Sequence, residues 1–338
     1  MRRLRLGIMG FGETGRHLYN ACLQDDRIEV VAISDIGKPE ILHYLLQSHM
    51  PKGKKVSLEG NHLISDNGRA RMVQGITPSH VPWDAFEVDF VVDATGKYKS
   101  RAALASHLES GASRVILSGL PEDPIDRLAI IGVNQNHIQS ADRIISAGSA
   151  TTNAAALLIK ILNENFGIDQ VVVSSIHAYT ADQPLRNVAG TDFRRSRSAA
   201  ENIIPNTAPA IHWLQEIMPE MKGKIAGGAL NVPVPEGSLL DLTAFLKTTE
   251  FSLDDILKAV IEASQQTPNL IEVMEDPIVS TDVIGNSHSL VYDVKAAMKS
   301  GSRLFKAIGW YHGYLSLAHR IKDLMLLYHQ NDLKGGAK

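Results

Sequence analysis

Cysteine is almost missing from this chain. A single residue, Cys22, occurs in 338, which excludes an internal disulfide and a thiolate metal cluster. The 13 histidines form no His-Glu-x-x-His pattern or comparable ligand spacing, so no metal is expected. No window reaches the ~18 unbroken apolar residues of a membrane span. The basic start, Met1-Arg2-Arg3-Leu4-Arg5, lacks the apolar core of a signal peptide. The expectations are no membrane partner and a cytoplasmic location. An excess of basic charge is lacking too: the formal net charge is -3, which leaves little to attract phosphate backbones and makes nucleic acid a poor partner. There is no internal repeat, low-complexity tract or long linker.

What is present describes an ordinary globular chain, with 44% hydrophobic and 21% charged residues. A length of 338 residues exceeds what one core usually holds, which predicts two domains. Leu4 to Met9 reads as a short apolar strand, followed by Gly10-Phe11-Gly12-Glu13-Thr14-Gly15 and an amphipathic helix from about Arg16 to Leu23. The next strand, Ile28 to Ser34, ends in Asp35, twenty residues beyond Gly15. Each part suits an adenine dinucleotide. Gly10 permits a tight turn, Gly12 lets backbone approach a pyrophosphate, Gly15 lets helix pack on strand, and Asp35 can accept from a ribose hydroxyl. The charge of Asp35 would repel a 2'-phosphate, which favours NAD over NADP.

Further strands are expected at Val88 to Asp93, Arg114 to Ser118, Leu128 to Val133 and Arg143 to Ser146, with a helix at about Ala102 to Ser110. This order predicts an α/β domain with a Rossmann-type, doubly wound parallel sheet. Thr95, Gly96 and Ser118 then fall at carboxyl ends of strands, where such a sheet binds its ligand, or else serve as plain turn residues. After Ala150 the pattern changes. A helix from Thr151 to about Asn165 precedes strands at Gln170 to Ala178, Ile225 to Val232, Leu239 to Leu246 and His288 to Asp293. That predicts an α+β domain with a mainly antiparallel sheet. Ser252 reads as the cap of a helix to Gln265, and Tyr314 to about Gln330 as a last amphipathic helix with a frayed tail to Lys338.

The run Ser146-Ala147-Gly148-Ser149-Ala150-Thr151-Thr152-Asn153 resembles the Ser-Asn-Ala-Ser-Cys-Thr-Thr-Asn signature of phosphorylating glyceraldehyde-3-phosphate dehydrogenases. The resemblance extends from about Leu4 to Leu324. Ser174-Ser175-Ile176-His177-Ala178-Tyr179-Thr180-Ala181-Asp182-Gln183 is similar to that family's strand carrying a general base, which implies this role for His177. The resemblance also implies anion-binding positions at Ser149, Thr151, Thr180, Asp182 and Arg195; a guanidinium suits phosphate through paired, charge-assisted hydrogen bonds. It implies domains at residues 1–149, for NAD, and 150–313, for catalysis and subunit contacts, with the helix at 314–338 packing back on the first. A homotetramer is implied as well, the segment from about Ala181 to Ala200 lying between subunits.

The departures from the family pattern matter equally. Ala150 occupies the place of the nucleophilic cysteine, and without a lone pair it can form no thiohemiacetal. Cys22, inside the first helix, reads as a small packed residue and no substitute. Asn231 stands where the family has a phosphate-binding arginine, and Ala208-Pro209 replaces a Thr-Gly pair that helps hold inorganic phosphate. Gly313 replaces an asparagine that orients the nicotinamide amide, while Met9 and Glu13 replace an asparagine and an arginine beside the glycine turn. A laboratory exchange of one cysteine would leave those positions untouched, so their joint replacement favours natural divergence. The leading expectation is an NAD-dependent oxidoreductase of an aldehyde or sugar phosphate; the alternative is a non-catalytic NAD-binding protein acting as sensor or assembly partner.

Overall fold

A computed structural model describes residues 2–50, 52–75 and 77–335. The chain divides into two units, residues 1–149 with 317–338, and residues 150–316.

Among the described residues the first unit carries nine strands, β1 (Leu4–Met9), β2 (Ile28–Ser34), β3 (Ser57–Glu59), β4 (His62–Ser65), β5 (Gly68–Val73), β6 (Phe90–Asp93), β7 (Arg114–Leu117), β8 (Arg127–Leu128) and β9 (Ile144–Ser146). They form one sheet in the order β3-β4-β5-β2-β1-β6-β7-β9-β8. From β5 to β8 every pairing is parallel. This is the doubly wound sheet expected, with an antiparallel β3-β4-β5 edge that the sequence patterning did not disclose. β6 and β7 are buried at every position, as strands covered on both faces must be, which is why Phe90–Val92 and Val115–Leu117 are apolar runs, with one charged residue at an end of each strand, Asp93 and Arg114. The helices are α1 (Glu13–Leu23), α2 (Pro39–Gln47) and α3 (Arg101–Glu109).

Three expectations change here. α1 begins at Glu13, directly after the glycine turn, rather than at Arg16. The strand expected at Leu128 to Val133 shrinks to β8, because Asn134 captures the backbone that a ladder would use: its Oδ1 accepts from Ile130 N at 2.7 Å and its Nδ2 donates to the Leu128 carbonyl at 3.0 Å. α2 was not foreseen, since Ile41, Tyr44 and Leu45 point outward and blur its apolar face.

The second unit opens with α4 (Ala150–Phe166) and continues through β10 (Ile168–Ala178), β11 (Ile204–Asn206), α5 (Ala210–Ile217), β12 (Ile225–Val232), β13 (Ser238–Leu246), α6 (Leu253–Gln266), β14 (Ile271–Met274), β15 (Leu290–Asp293), β16 (Met298–Ser300) and β17 (Leu304–Tyr311). The sheet order is β11-β12-β10-β13-β17-β15-β14, with β16 on β17. Its pairings are antiparallel except β10 with β12 and β14 with β15. β13 alternates buried and half-buried residues, the mark of a sheet with one covered face. α4 supplies that cover against β10, β13, β15 and β17. Ser252 caps α6, as expected from the sequence, and Asp255 makes the cap a reciprocal capping box.

The last helix, α7 (Gly313–Gly335), is longer than the span to Gln330 read from its pattern. Its far part belongs to the first unit, where Tyr328 donates to Asp142 Oδ2 at 2.7 Å and Asp332 pairs with Arg114. The tail end at 336–338 lies outside the described residues.

Candidate functional site

The glycine turn behaves as its spacing requires. Gly10 sits at φ +89°, and a Cβ there would lie 2.7 Å from the backbone of Ala94 and Thr95. A Cβ on Gly15 would come within 2.1 Å of the Gly10 carbonyl oxygen, so helix and turn touch through bare backbone. Gly12 differs, because a Cβ there would meet nothing within 4 Å. It is the residue before α1, and no side chain caps that helix start. The amides of the first turn and the helix dipole therefore face open space suited to an anion.

A cavity of about 220 Å³ opens beside this turn, lined by Met9, Gly10, Gly12, Ser34, Asp35, Ile36, Gly75, Ala94, Thr95, Lys97 and Tyr98. Asp35 accepts from Phe11 N at 2.6 Å and from Gly37 N at 2.8 Å, which fixes its carboxylate at the cavity wall. Thr95 is pinned through Asp93, whose Oδ1 accepts from Thr95 N at 3.0 Å and from its hydroxyl at 2.6 Å. The other Asp93 oxygen meets His107 Nε2 at 3.1 Å, and Trp83 Nε1 donates to His107 Nδ1 at 3.0 Å, all three side chains fully buried. The turn, the uncapped helix and the acidic wall fit a dinucleotide. Of the other expected cofactor residues, Phe11 is buried edge-on to Tyr19, and Thr14 follows Glu13 in the first turn of α1. Gly96 holds φ +69°, and Ser118 N donates to the Asp93 carbonyl at 2.9 Å. Gly313 opens α7 in the second unit. Glu13 turns toward Arg16, His17 and His49.

At the junction before α4, Ser146 Oγ donates to the Gly119 carbonyl at 2.6 Å and accepts from Gly148 N at 2.9 Å, shaping the turn that leads through Ser149 to Ala150. Ala150 is the first residue of α4. Its successor Thr151 lies against His177, Oγ1 to Nε2 at 3.4 Å, and meets Tyr311 OH at 2.9 Å. Ser175 Oγ is 2.8 Å from His177 Nε2, and Tyr311 OH is 3.4 Å from Nδ1. His177 thus sits among three hydroxyls. Burial pushes its pKa down to about 4, so the ring is neutral at physiological pH. The Tyr311 hydroxyl is pushed upward by burial and stays protonated. Ser175 was missed in the sequence although it lies two residues before His177 and so shares its strand face. Tyr311 carried no sequence signal, since it arrives from β17.

Several of the anion-binding positions spend their hydrogen bonds on other side chains of the protein. Arg195 donates to Asp182, which also accepts from the Thr180 hydroxyl. Asn231 is in register with His177 across β10 and β12. Its Nδ2 donates to Gln183 Oε1 at 2.8 Å, and its Oδ1 accepts from Asn206 at 3.3 Å. Where a guanidinium would bring charge there is a neutral amide network. Cys22 is 1% exposed, and burial pushes its thiol up to about 12, which makes it inert.

Comparison with known proteins matches both parts of the chain to one family. The family model for the NAD binding domain of glyceraldehyde 3-phosphate dehydrogenase matches residues 4–101, and that for its C-terminal domain matches residues 149–313. The chain belongs to the glyceraldehyde 3-phosphate dehydrogenase family. Glyceraldehyde-3-phosphate dehydrogenase 1 of Bacillus subtilis (strain 168) is 36% identical over 326 residues, covering 95% of this chain and 97% of that protein. The dehydrogenase of Mycobacterium leprae (strain TN) is 37% identical over 334 residues, covering 95% and 97%. That of Geobacillus stearothermophilus is 36% identical over 327 residues, with the same coverage. The chain is a glyceraldehyde-3-phosphate dehydrogenase-like, NAD-dependent oxidoreductase in its family and its cofactor. No helix among the described residues is long and apolar enough to cross a membrane.

Proposed function

We propose that this family member exchanges hydride between NAD(H) and an aldehyde–alcohol pair without a covalent intermediate. The observation that carries this reading is His177, kept neutral and held by Ser175, Thr151 and Tyr311 beside a helix that begins with Ala150 instead of a nucleophile. When bound, the nicotinamide supplies a two-electron hydride donor or acceptor. Reduction then adds hydride to the carbonyl carbon and a proton to its oxygen, and oxidation removes both. A neutral His177 takes the hydroxyl proton as base, and Ser175 and Thr151 present hydroxyls that can pass it on. The Ala150 methyl attacks nothing, so acyl transfer to phosphate has no starting point.

In this reading residues 1–149 and the last helix bind NAD through Gly10 to Gly15 and Asp35, and residues 150–313 hold the chemistry. The amide network at Asn231 and the Asp182 carboxylate on Arg195 favour an uncharged or weakly charged aldehyde over a sugar phosphate. A homotetramer goes with the family, and the large exposed side chains Leu185, Val188 and Phe193 support subunit contacts along the segment from about Ala181 to Ala200. A cytoplasmic location fits the same reading.

The test is NADH consumption over a panel of small aldehydes, with and without a terminal phosphate, by the chain and by His177→Ala. Turnover lost in His177→Ala supports the reading; NAD binding without turnover on any aldehyde refutes it. That second outcome is what a non-catalytic NAD-binding sensor predicts. The observation favouring the sensor is that groups at the anion positions are already bonded within the protein, Arg195 to Asp182 and Asn231 to Gln183.

A further inference from the structure

We propose that Glu13, His17 and His49 form a binding site for a divalent transition-metal ion of the zinc class. The three offer one ligand atom each, all within 4.8 Å of one another. Glu13 Oε2 lies 3.1 Å from His49 Nε2 and 3.9 Å from His17 Nε2. Zinc–nitrogen and zinc–oxygen bonds of about 2.0–2.2 Å in a tetrahedron place neighbouring ligand atoms about 3.3 Å apart, so a small closure of these side chains completes three corners. Imidazole and carboxylate together suit zinc, nickel and cobalt.

The placement has a local cause. Glu13 and His17 are four residues apart on α1 and so share one face of the helix. His49 comes from the turn after α2, and Asn20 on the same α1 donates from Nδ2 to the His49 carbonyl at 2.7 Å, which ties that turn to the helix. The two imidazoles meet edge to face, 5.1 Å between centroids. The site is partly enclosed, with side-chain exposures of 32%, 12% and 22% for Glu13, His17 and His49, open enough for an ion and a water at the fourth corner.

The supporting shell orients the ligand atoms. Arg16 grips the other Glu13 oxygen, Oε1, leaving Oε2 for the cluster. His49 Nδ1 lies 3.3 Å from the Leu45 carbonyl and 3.0 Å from Ser48 Oγ. His49 Nδ1 thus faces the chain that carries it, while Nε2 faces Glu13 Oε2. A metal ion would use all three ligand atoms, the His17 imidazole converging on the same carboxylate oxygen as His49. The charged and titratable groups that meet at the site are Glu13, Arg16, His17 and His49.

Calorimetric titration of the untagged full chain with Zn²⁺ near neutral pH tests this, alongside His17→Ala, His49→Ala, Glu13→Gln and, as a control, the exposed His80→Ala. Thermal unfolding of each variant confirms that it folds; Glu13→Gln keeps an acceptor for Arg16. Loss of one outer-shell partner already costs about 10–100-fold in metal affinity, so each ligand variant should lose at least about tenfold while His80→Ala binds as the parent. Cobalt should give the visible bands of a four-coordinate ion in the parent and lose them in His17→Ala. Absence of Zn²⁺ binding, or binding that the three ligand variants leave unchanged, overturns the proposal and assigns Glu13 and His49 to a simple ion pair.

Discussion

Ser175 Oγ lies 2.8 Å from His177 Nε2, two residues away on the same strand. With Ala150 at the head of α4, the histidine's neighbours are hydroxyls rather than a thiolate, and its proton chemistry is separated from covalent chemistry. A general base in this setting needs only to be uncharged and reachable by a substrate hydroxyl. His177 meets the first condition because burial disfavours its charged form.

That burial sets a pH dependence of stability. The unfolded chain protonates this histidine near ~6.5, whereas the folded chain protonates it at about 4. As pH falls from about 6.5 to about 4 the unfolded state takes up the proton first, so the stability contributed above that window is lost within it. His177→Asn removes this component. Urea midpoints measured across the window should fall less steeply for the variant, and equal slopes would contradict the assigned shift.

The glycine turn separates folding from binding. Gly15→Ala puts a methyl 2.1 Å from the Gly10 carbonyl and should destabilise the fold by about 1–3 kcal/mol. Gly12→Ala meets nothing within 4 Å, so it should leave the melting temperature nearly unchanged while weakening NAD by about tenfold or more, near 1.4 kcal/mol. Thermal melts and calorimetry on the two variants read the difference.

The anion site should respond to charge. Asn231→Arg introduces a guanidinium beside Gln183 and should raise affinity for inorganic phosphate by roughly tenfold, the order of one charge-assisted hydrogen bond. Asp182→Asn should act in the same direction by freeing Arg195. Calorimetric titration with phosphate checks both, and no change in either would mean that phosphate does not approach these residues.

The first strand, the glycine turn and Asp35 were legible because each obeys a local rule: apolar run, backbone conformation, fixed spacing. The strand carrying His177 was legible through family resemblance, and the cap of α6 through Ser252 and the acidic residues after it. β8 was misread because Asn134 competes for its backbone, a contact that apolar periodicity does not register. Tyr311 and Gln183 escaped notice because their role comes from tertiary placement: one arrives from a distant strand, the other from a loop that folds onto Asn231. The Glu13, His17 and His49 cluster was hidden for the same reason. Two of its members share a helix face, and the third is delivered by the chain after α2.

The most direct measurement is a matched pair, this chain and Ala150→Cys, each given NADH and an uncharged aldehyde without phosphate, with intact-protein mass spectrometry of the reacted samples. Phosphate-independent NADH oxidation by this chain, with no covalent adduct, is the predicted result. NADH oxidation only in Ala150→Cys, or in neither protein while NAD binds both, would contradict hydride exchange without a nucleophile.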